Sequence, residues 1–396
     1  MPRIYRYLVP IVVLTLLTGA ALAAPTATSP TPVAHRMAAT ATAVDLVLPA
    51  PTGRHPVGLS TVHLRDPDRA DPWVPADRRE LMVSVWYPAA PRDDAPPARY
   101  VTAEESALIL RQLNVTGLPA DTLSAVRTHA TVQPPLRPGP GRLPLVVLSP
   151  GFTYPRSSLT VLAQELASHG YVVAGVDHNH EAAAITFPDG RITDCLACRS
   201  DADPVAATAG RSRDVSFVID RLTAARPAWW GGHRIDPRRI AMVGHSLGGA
   251  AAAAAMRDDR RIRLGVNIDG TFQAGFNPDG TPLPGLPPGF DRPFLMLGAE
   301  RHGQPGADVT WDVTWPSLAG WRRWISVDGT THSSFVDYPA LAEQVGLSMQ
   351  PLPGSRCAEI TNAFVTAAVD RHLRGRPAPL LAGPTSSYPE VRSWQP

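Results

Sequence analysis

The stretch from Met242 to Ala252, MVGHSLGGAAA, sets Ser246 inside Gly244-His245-Ser246-Leu247-Gly248, between an apolar run and an alanine-rich one. A Gly-x-Ser-x-Gly at a corner between strand and helix lifts a hydroxyl clear of the backbone, close to the positive end of the helix. The pattern alone is short; its context carries the reading. A strand-like run precedes it, and LGGAAAAAAM follows as a strong helix former. A serine that only caps a helix needs no glycine on both sides. The chemistry such a corner serves is nucleophilic attack, and a serine near neutral pH then needs a base and a group to orient that base.

Of 12 histidines, His332 lies just past the last strand-like run, in the polar loop VDGTTHSSF, where the base follows the nucleophile in chain order. His233 precedes the nucleophile strand in a Trp/Gly loop and reads as structural. Two carboxylates end strands between Ser246 and His332: Asp269 in GVNID and Glu300 in FLMLGAE. A place after the later strand favours Glu300, and either could be a turn residue. The oxyanion of an acyl-transfer intermediate needs two backbone N–H donors. Leu247, after the serine, supplies one, and Phe152, after LVVLSPG, supplies the other. Asp177-His178-Asn179-His180-Glu181 has a His-x-His with acids, but its place at a strand end favours loop closure over a metal. No metal ligand set is assigned.

These residues need elements to bring them together. ELMVSVWYP (80–88) alternates like a strand, and LPLVVLSPG (143–151) is continuously apolar, as a buried parallel strand would be. YVVAGVDH (171–178), RRIAMVGHS (238–246), IRLGVNIDG (262–270), RPFLMLGAE (292–300) and RRWISVDG (322–329) read as further strands. Helices are expected over 157–170, 211–227 and 357–375. Strands alternating with helices imply an α/β protein, a mainly parallel central sheet with helices on both faces and its site at the carboxyl ends of the strands.

Residues 1–23 read as a Sec-type export signal: Arg3 and Arg6, an apolar stretch from Leu8 to Leu17, then Ala21-Leu22-Ala23 as a cleavage site. Secretion follows as an expectation. The formal net charge is +2 and cleavage removes two arginines, so the mature chain offers no electrostatic case for nucleic acid. Residues 24–45 are an Ala/Thr/Pro-rich lead without periodicity, 46–375 form the catalytic domain, and 376–396 are a Pro/Ser-rich tail of similar character to the lead. The long stretch from Glu181 to Gly210 is a candidate cover for the site. Cys195, Cys198 and Cys357 allow one disulfide, local or from loop to helix, with one cysteine left over.

The segments LSPGFTYPRSS, VAGVDHNHEA, GHSLGGA, NIDGTF and GTTHSSFVDY carry a resemblance. The chain resembles the plasma and intracellular type II platelet-activating factor acetylhydrolases and their bacterial lipase-like relatives, of the α/β-hydrolase fold. The likeness runs from about MVSVWYP to AAVDRHL. It implies Asp269 as the acid, 23 residues beyond Ser246, with Glu300 as the alternative. It also implies His332 as base and Phe152 with Leu247 as oxyanion donors. One departure is Pro150, where the family often has histidine.

The resemblance implies a calcium-independent, cofactor-free serine esterase acting on lipid-like esters, with short sn-2 acyl chains of phospholipids as the name-giving substrate. Its partners are then a small-molecule or lipid ester and transient lipid-surface contact. A broad lipase, polyester hydrolase or acyltransferase would use the same residues, and a non-catalytic binding protein on this scaffold would have no use for a strained nucleophile turn.

Overall fold

The computed structural model describes residues 45–92 and 94–396. The expected export signal, and the lead up to residue 44, lie outside them. The strands are β1 (Val57–Ala70), β2 (Arg78–Pro88), β3 (Pro97–Arg99), β4 (Arg127–Val132), β5 (Leu143–Ser149), β6 (Val172–His178), β7 (Ile185–Thr186), β8 (Ile192–Thr193), β9 (Ile235–His245), β10 (Ile262–Ile268), β11 (Phe294–Ala299), β12 (Arg322–Val327) and β13 (Val391–Trp394). The helices are α1 (Ala103–Gln112), α2 (Thr160–Ser168), α3 (Pro204–Thr223), α4 (Leu247–Asp258), α5 (Val309–Thr314), α6 (Tyr338–Gln344) and α7 (Gly354–Arg374).

Apart from the β7–β8 hairpin, the strands form one sheet in the order β13-β12-β11-β10-β9-β5-β6-β2-β1-β4-β3. From β6 through β5, β9, β10 and β11 to β12 every pairing is parallel. Antiparallel pairs flank this block, β2 on β6 and β13 on β12. Parallel neighbours require crossover connections; α2, α3, α4 and α5 lie in four of them, and the β10–β11 crossover is the helix-free loop 269–293.

The continuous apolar runs have a direct cause. Successive residues of a strand face opposite sides of the sheet, so a strand covered on both sides must be apolar throughout. In β5, Val146 and Leu148 join one cluster with Leu162 and Leu166 of α2 and Phe364 and Val365 of α7. Leu145 and Val147 face the other way, into a cluster with Val215 and Ile219 of α3 and Ala251 and Ala255 of α4. Two helical layers thus clamp one sheet, as expected.

Some boundaries move. The helix expected over 211–227 starts earlier, at Pro204, because Asp203 caps it by accepting from the Val205 amide and the proline sits in its first turn. β1 is absent from the expected strands because its second half is charged and exposed. The segment 376–396 differs from the aperiodic tail expected of it. Residues Val391–Trp394 pair antiparallel with β12, Leu381 and Val391 are buried, and Trp394 Nε1–H donates to Ser326 Oγ. Its partners lie far off in sequence, so composition alone does not reveal it.

Candidate active site

Ser246 stands between the end of β9 and the start of α4, with φ 56° and ψ −123°. A residue bearing a Cβ adopts such a conformation at a cost of about 1–3 kcal/mol, and only where its surroundings enforce it. The adjoining glycines show the enforcement. A Cβ on Gly244 would lie 1.9 Å from the Gly248 carbonyl oxygen, and one on Gly248 would lie 2.0 Å from the Ser149 carbonyl oxygen. The turn closes only because both are bare. The Ser246 side chain makes no capping bond to α4. Instead its Oγ lies 2.8 Å from Nε2 of His332.

His332 opens a short 3₁₀ turn, His332–Phe335, beyond β12. Its Nδ1–H donates to Asp269 Oδ2 at 2.7 Å. A carboxylate only accepts, so Nε2 is the bare nitrogen and receives the Ser246 hydroxyl. Asp269 follows β10 with φ 53° and is fully buried. Burial alone would raise its pKa, but hydrogen bonds from His302 and His332 outweigh that and hold the carboxyl well below the usual carboxylate range. The amide of Ala299 also donates to its Oδ1.

Glu300, the alternative acid, does not reach His332. Its Oε2 accepts from the Gly329 amide at 2.7 Å, and its own amide donates to Thr330 Oγ1. It braces the loop that leads to His332. Its position after β11 is as expected; its side-chain direction is what rules it out of the Ser246–His332–Asp269 chain.

Leu247 is the first residue of α4, where an amide has no acceptor within the helix. The loop bearing Phe152 passes close by: a Cβ on Gly151 would sit 3.3 Å from Ser246 Cβ. Among the described residues, neither the Phe152 nor the Leu247 amide donates to a backbone carbonyl. Beneath this loop lies a buried ion-pair lattice, and it absorbs the Asp177–Glu181 motif. Arg156 pairs with Asp177. His178 donates Nδ1–H to Asp214 Oδ2 at 2.8 Å and accepts from Ser149 Oγ at 2.9 Å. Glu181 holds Arg79 and Arg211, and Arg211 Nη1 donates to the carbonyl oxygen of Pro150 at 2.5 Å. The proline that departs from the family pattern is therefore anchored through its carbonyl. The segment after Glu181 also bonds to this loop, with Thr153 N–H donating to the Glu181 carbonyl and Ala183 N–H to that of Thr153. Cys195 and Cys198 form the disulfide, and Cys357 is the buried, free one.

Two histidines at the site carry no role in the sequence reading. His245, the variable residue before Ser246, is fully buried, and burial with the neighbouring His332 lowers its pKa to about 3. It is neutral and donates Nε2–H to the His332 carbonyl at 2.8 Å. Tyr154 stacks on its ring, with centroids 6.0 Å apart. His302 lies against the far side of Asp269, with Nδ1 2.8 Å from Oδ1. The only sequence signal for it is a place two residues after Glu300, just past a strand end.

A mainly parallel sheet whose carboxyl ends bring a strained serine against a histidine is the architecture of an α/β-hydrolase. The chain belongs to the platelet-activating factor acetylhydrolase, isoform II family, whose sequence model matches residues 41–194 and 232–355. A PET hydrolase-like model also matches residues 120–270. A protein of Arthroderma benhamiae named "Probable 1-alkyl-2-acetylglycerophosphocholine esterase" is 27% identical over 88% of this chain and 93% of its own. A bis(hydroxyethyl) terephthalate hydrolase of Streptomyces coelicolor is 26% identical over 52% of this chain and 64% of its own. A solved ferulic acid esterase from Streptomyces cinnamoneus is 40% identical, with a TM-score of 0.77, covering 89% of this chain and 100% of that one. The protein is an esterase.

Proposed function

We propose that the protein is an exported serine esterase that cleaves lipid-like esters with a short acyl group, as at the sn-2 position of a phospholipid. Ser246 Oγ attacks the ester carbonyl while His332 Nε2 takes its proton. Asp269 holds the imidazole in the right tautomer and stabilises the imidazolium. The Phe152 and Leu247 amides receive the oxyanion. His332 then protonates the departing alcohol, and water repeats the sequence on the acyl-enzyme. The observation that carries this reading is the uncapped, strained Ser246 hydroxyl 2.8 Å from His332 Nε2.

Family membership and the Arthroderma relative support the phospholipid substrate. A second reading, aryl or polyester substrates, is favoured by the PET hydrolase-like match spanning Ser246 and by the ferulic acid esterase likeness. Transfer of the acyl group to an added alcohol would use the same residues. Export is supported by the basic, apolar and small-residue succession of residues 1–23, and by a disulfide of the kind that persists in oxidising compartments. N-terminal sequencing of the protein from culture medium is expected to start at Ala24.

The deciding experiment compares kcat/KM for a short-acyl phosphatidylcholine, nitrophenyl esters from acetate to palmitate, a feruloyl ester and bis(hydroxyethyl) terephthalate. Preference for the short-acyl phospholipid upholds the first substrate class; preference for an aromatic ester upholds the second. An organophosphonate is expected to label Ser246. Undiminished turnover by pure Ser246→Ala protein overturns the whole reading.

A further inference from the structure

His302 has a carboxylate at each end of its ring. Nδ1 lies 2.8 Å from Asp269 Oδ1, and Nε2 lies 2.8 Å from Asp308 Oδ2. Ionised carboxylates only accept, and a neutral imidazole has one N–H to give. Filling both bonds therefore requires the doubly protonated ring. Among the described residues the ring's other neighbours are uncharged: Thr271 Oγ1 shares Nε2 at the longer distance of 3.2 Å, and Trp311 lies edge to face at 5.6 Å. Asp308 is itself fixed as the cap of α5, accepting from the Thr310 amide.

The two oxygens of Asp269 are thus divided, Oδ1 to His302 and the Ala299 amide, Oδ2 to His332. We propose that His302 is a positioning residue, a doubly protonated ring that aims the Asp269 carboxylate at His332. The proposal rests on the serine-esterase reading above. The charged and titratable groups facing this pair of histidines are Asp269, Asp308 and the neutral His245; the His302 and His332 ring centroids are 6.3 Å apart. Consistent with the geometry, the two carboxylates overcome the opposing effect of burial and raise the pKa of His302 to about 10.

Without that ring, Asp269 Oδ1 keeps the Ala299 amide alone, and the carboxylate is held less firmly toward His332. His302→Gln removes the imidazolium and its fixed direction of donation. kcat should fall by about one to two orders of magnitude, as a loosened orienting group costs, with KM little changed. A variant that melts normally with kcat unchanged, or with the loss in KM instead, overturns the proposal. If His302→Gln does not fold, ¹⁵N-histidine spectra of Ser246→Ala protein decide. Both ring nitrogens of His302 should give imidazolium shifts at pH 8, and a neutral ring there overturns the proposal. That second reading of the ring is independent of turnover, so it stands or falls apart from the esterase assignment, which Ser246→Ala activity tests by itself.

Discussion

His332 Nδ1 and Asp269 Oδ2 are 2.7 Å apart across 63 residues of sequence, one ring half exposed and the carboxylate fully buried. Glu300, which ends the neighbouring strand, spends its carboxylate on the Gly329 amide instead. Asp269→Asn is therefore expected to lower kcat by about 10⁴-fold through the wrong histidine tautomer. Glu300→Gln can still accept from Gly329 and should leave turnover near that of the parent. Equal losses in the two variants, measured with nitrophenyl acetate, would contradict this division of roles.

Ser246 carries strain as well as chemistry. Ser246→Ala and Ser246→Gly both remove the hydroxyl, and turnover should fall by a factor on the order of 10⁵ or more. The two differ in the Cβ held at φ 56°. Ser246→Gly relieves that conformation, so it should be more stable than Ser246→Ala by about 1 kcal/mol. Urea unfolding of the pair measures the difference directly.

The oxyanion loop stands on buried charge. Asp214 receives Arg79, Arg69 and His178 with no exposure of its own. Burial would raise its pKa, but Arg79 and His178 keep it far below the usual range. Asp214→Asn takes from buried Arg79 its closest carboxylate, leaving it Asp71 and Glu181, and should cost up to about 3 kcal/mol. The same change should reduce turnover in whatever folded fraction remains, because His178 and Ser149 lie directly under the loop bearing Phe152. Denaturant unfolding and active-site titration separate the two effects.

Stability should vary with pH in opposite senses through His245 and His302. His245 falls from an ordinary 6.5 to about 3 in the fold, so the unfolded chain binds its proton first. The stability it contributes is present above 6.5 and lost as pH falls toward 3. His302 rises from 6.5 to about 10, so its contribution is complete below 6.5 and is lost as pH climbs toward 10. Relative to the parent, His245→Asn should flatten the acid side of a melting-temperature profile and His302→Gln the alkaline side. The reverse assignment of slopes would show that the protonation states are misjudged.

Much of this protein was legible in order along the chain. Strand and helix periods, bare glycines around Ser246 and a histidine past the last parallel strand depend on residues within a turn or two of one another, and those local constraints are written into the sequence. The side-chain division between Asp269 and Glu300 was not, because both end strands equally well. Chain order leans towards Glu300, and only the family resemblance favours Asp269, whose carboxylate is the one that meets His332. His302 was invisible for a related reason: its meaning comes from Asp269 and Asp308 at either end of its ring, one of them 33 residues away.

The 376–396 segment, too, finds its strand only by pairing with Trp324–Val327. What the sequence by itself determined was the layered α/β architecture and the serine corner, since apolar period and turn sterics act locally. What the tertiary structure alone decided was which carboxylate serves His332, that a second imidazole shares it, and where the buried charges cancel. Those depend on sheet order, which brings together groups that no short-range rule connects.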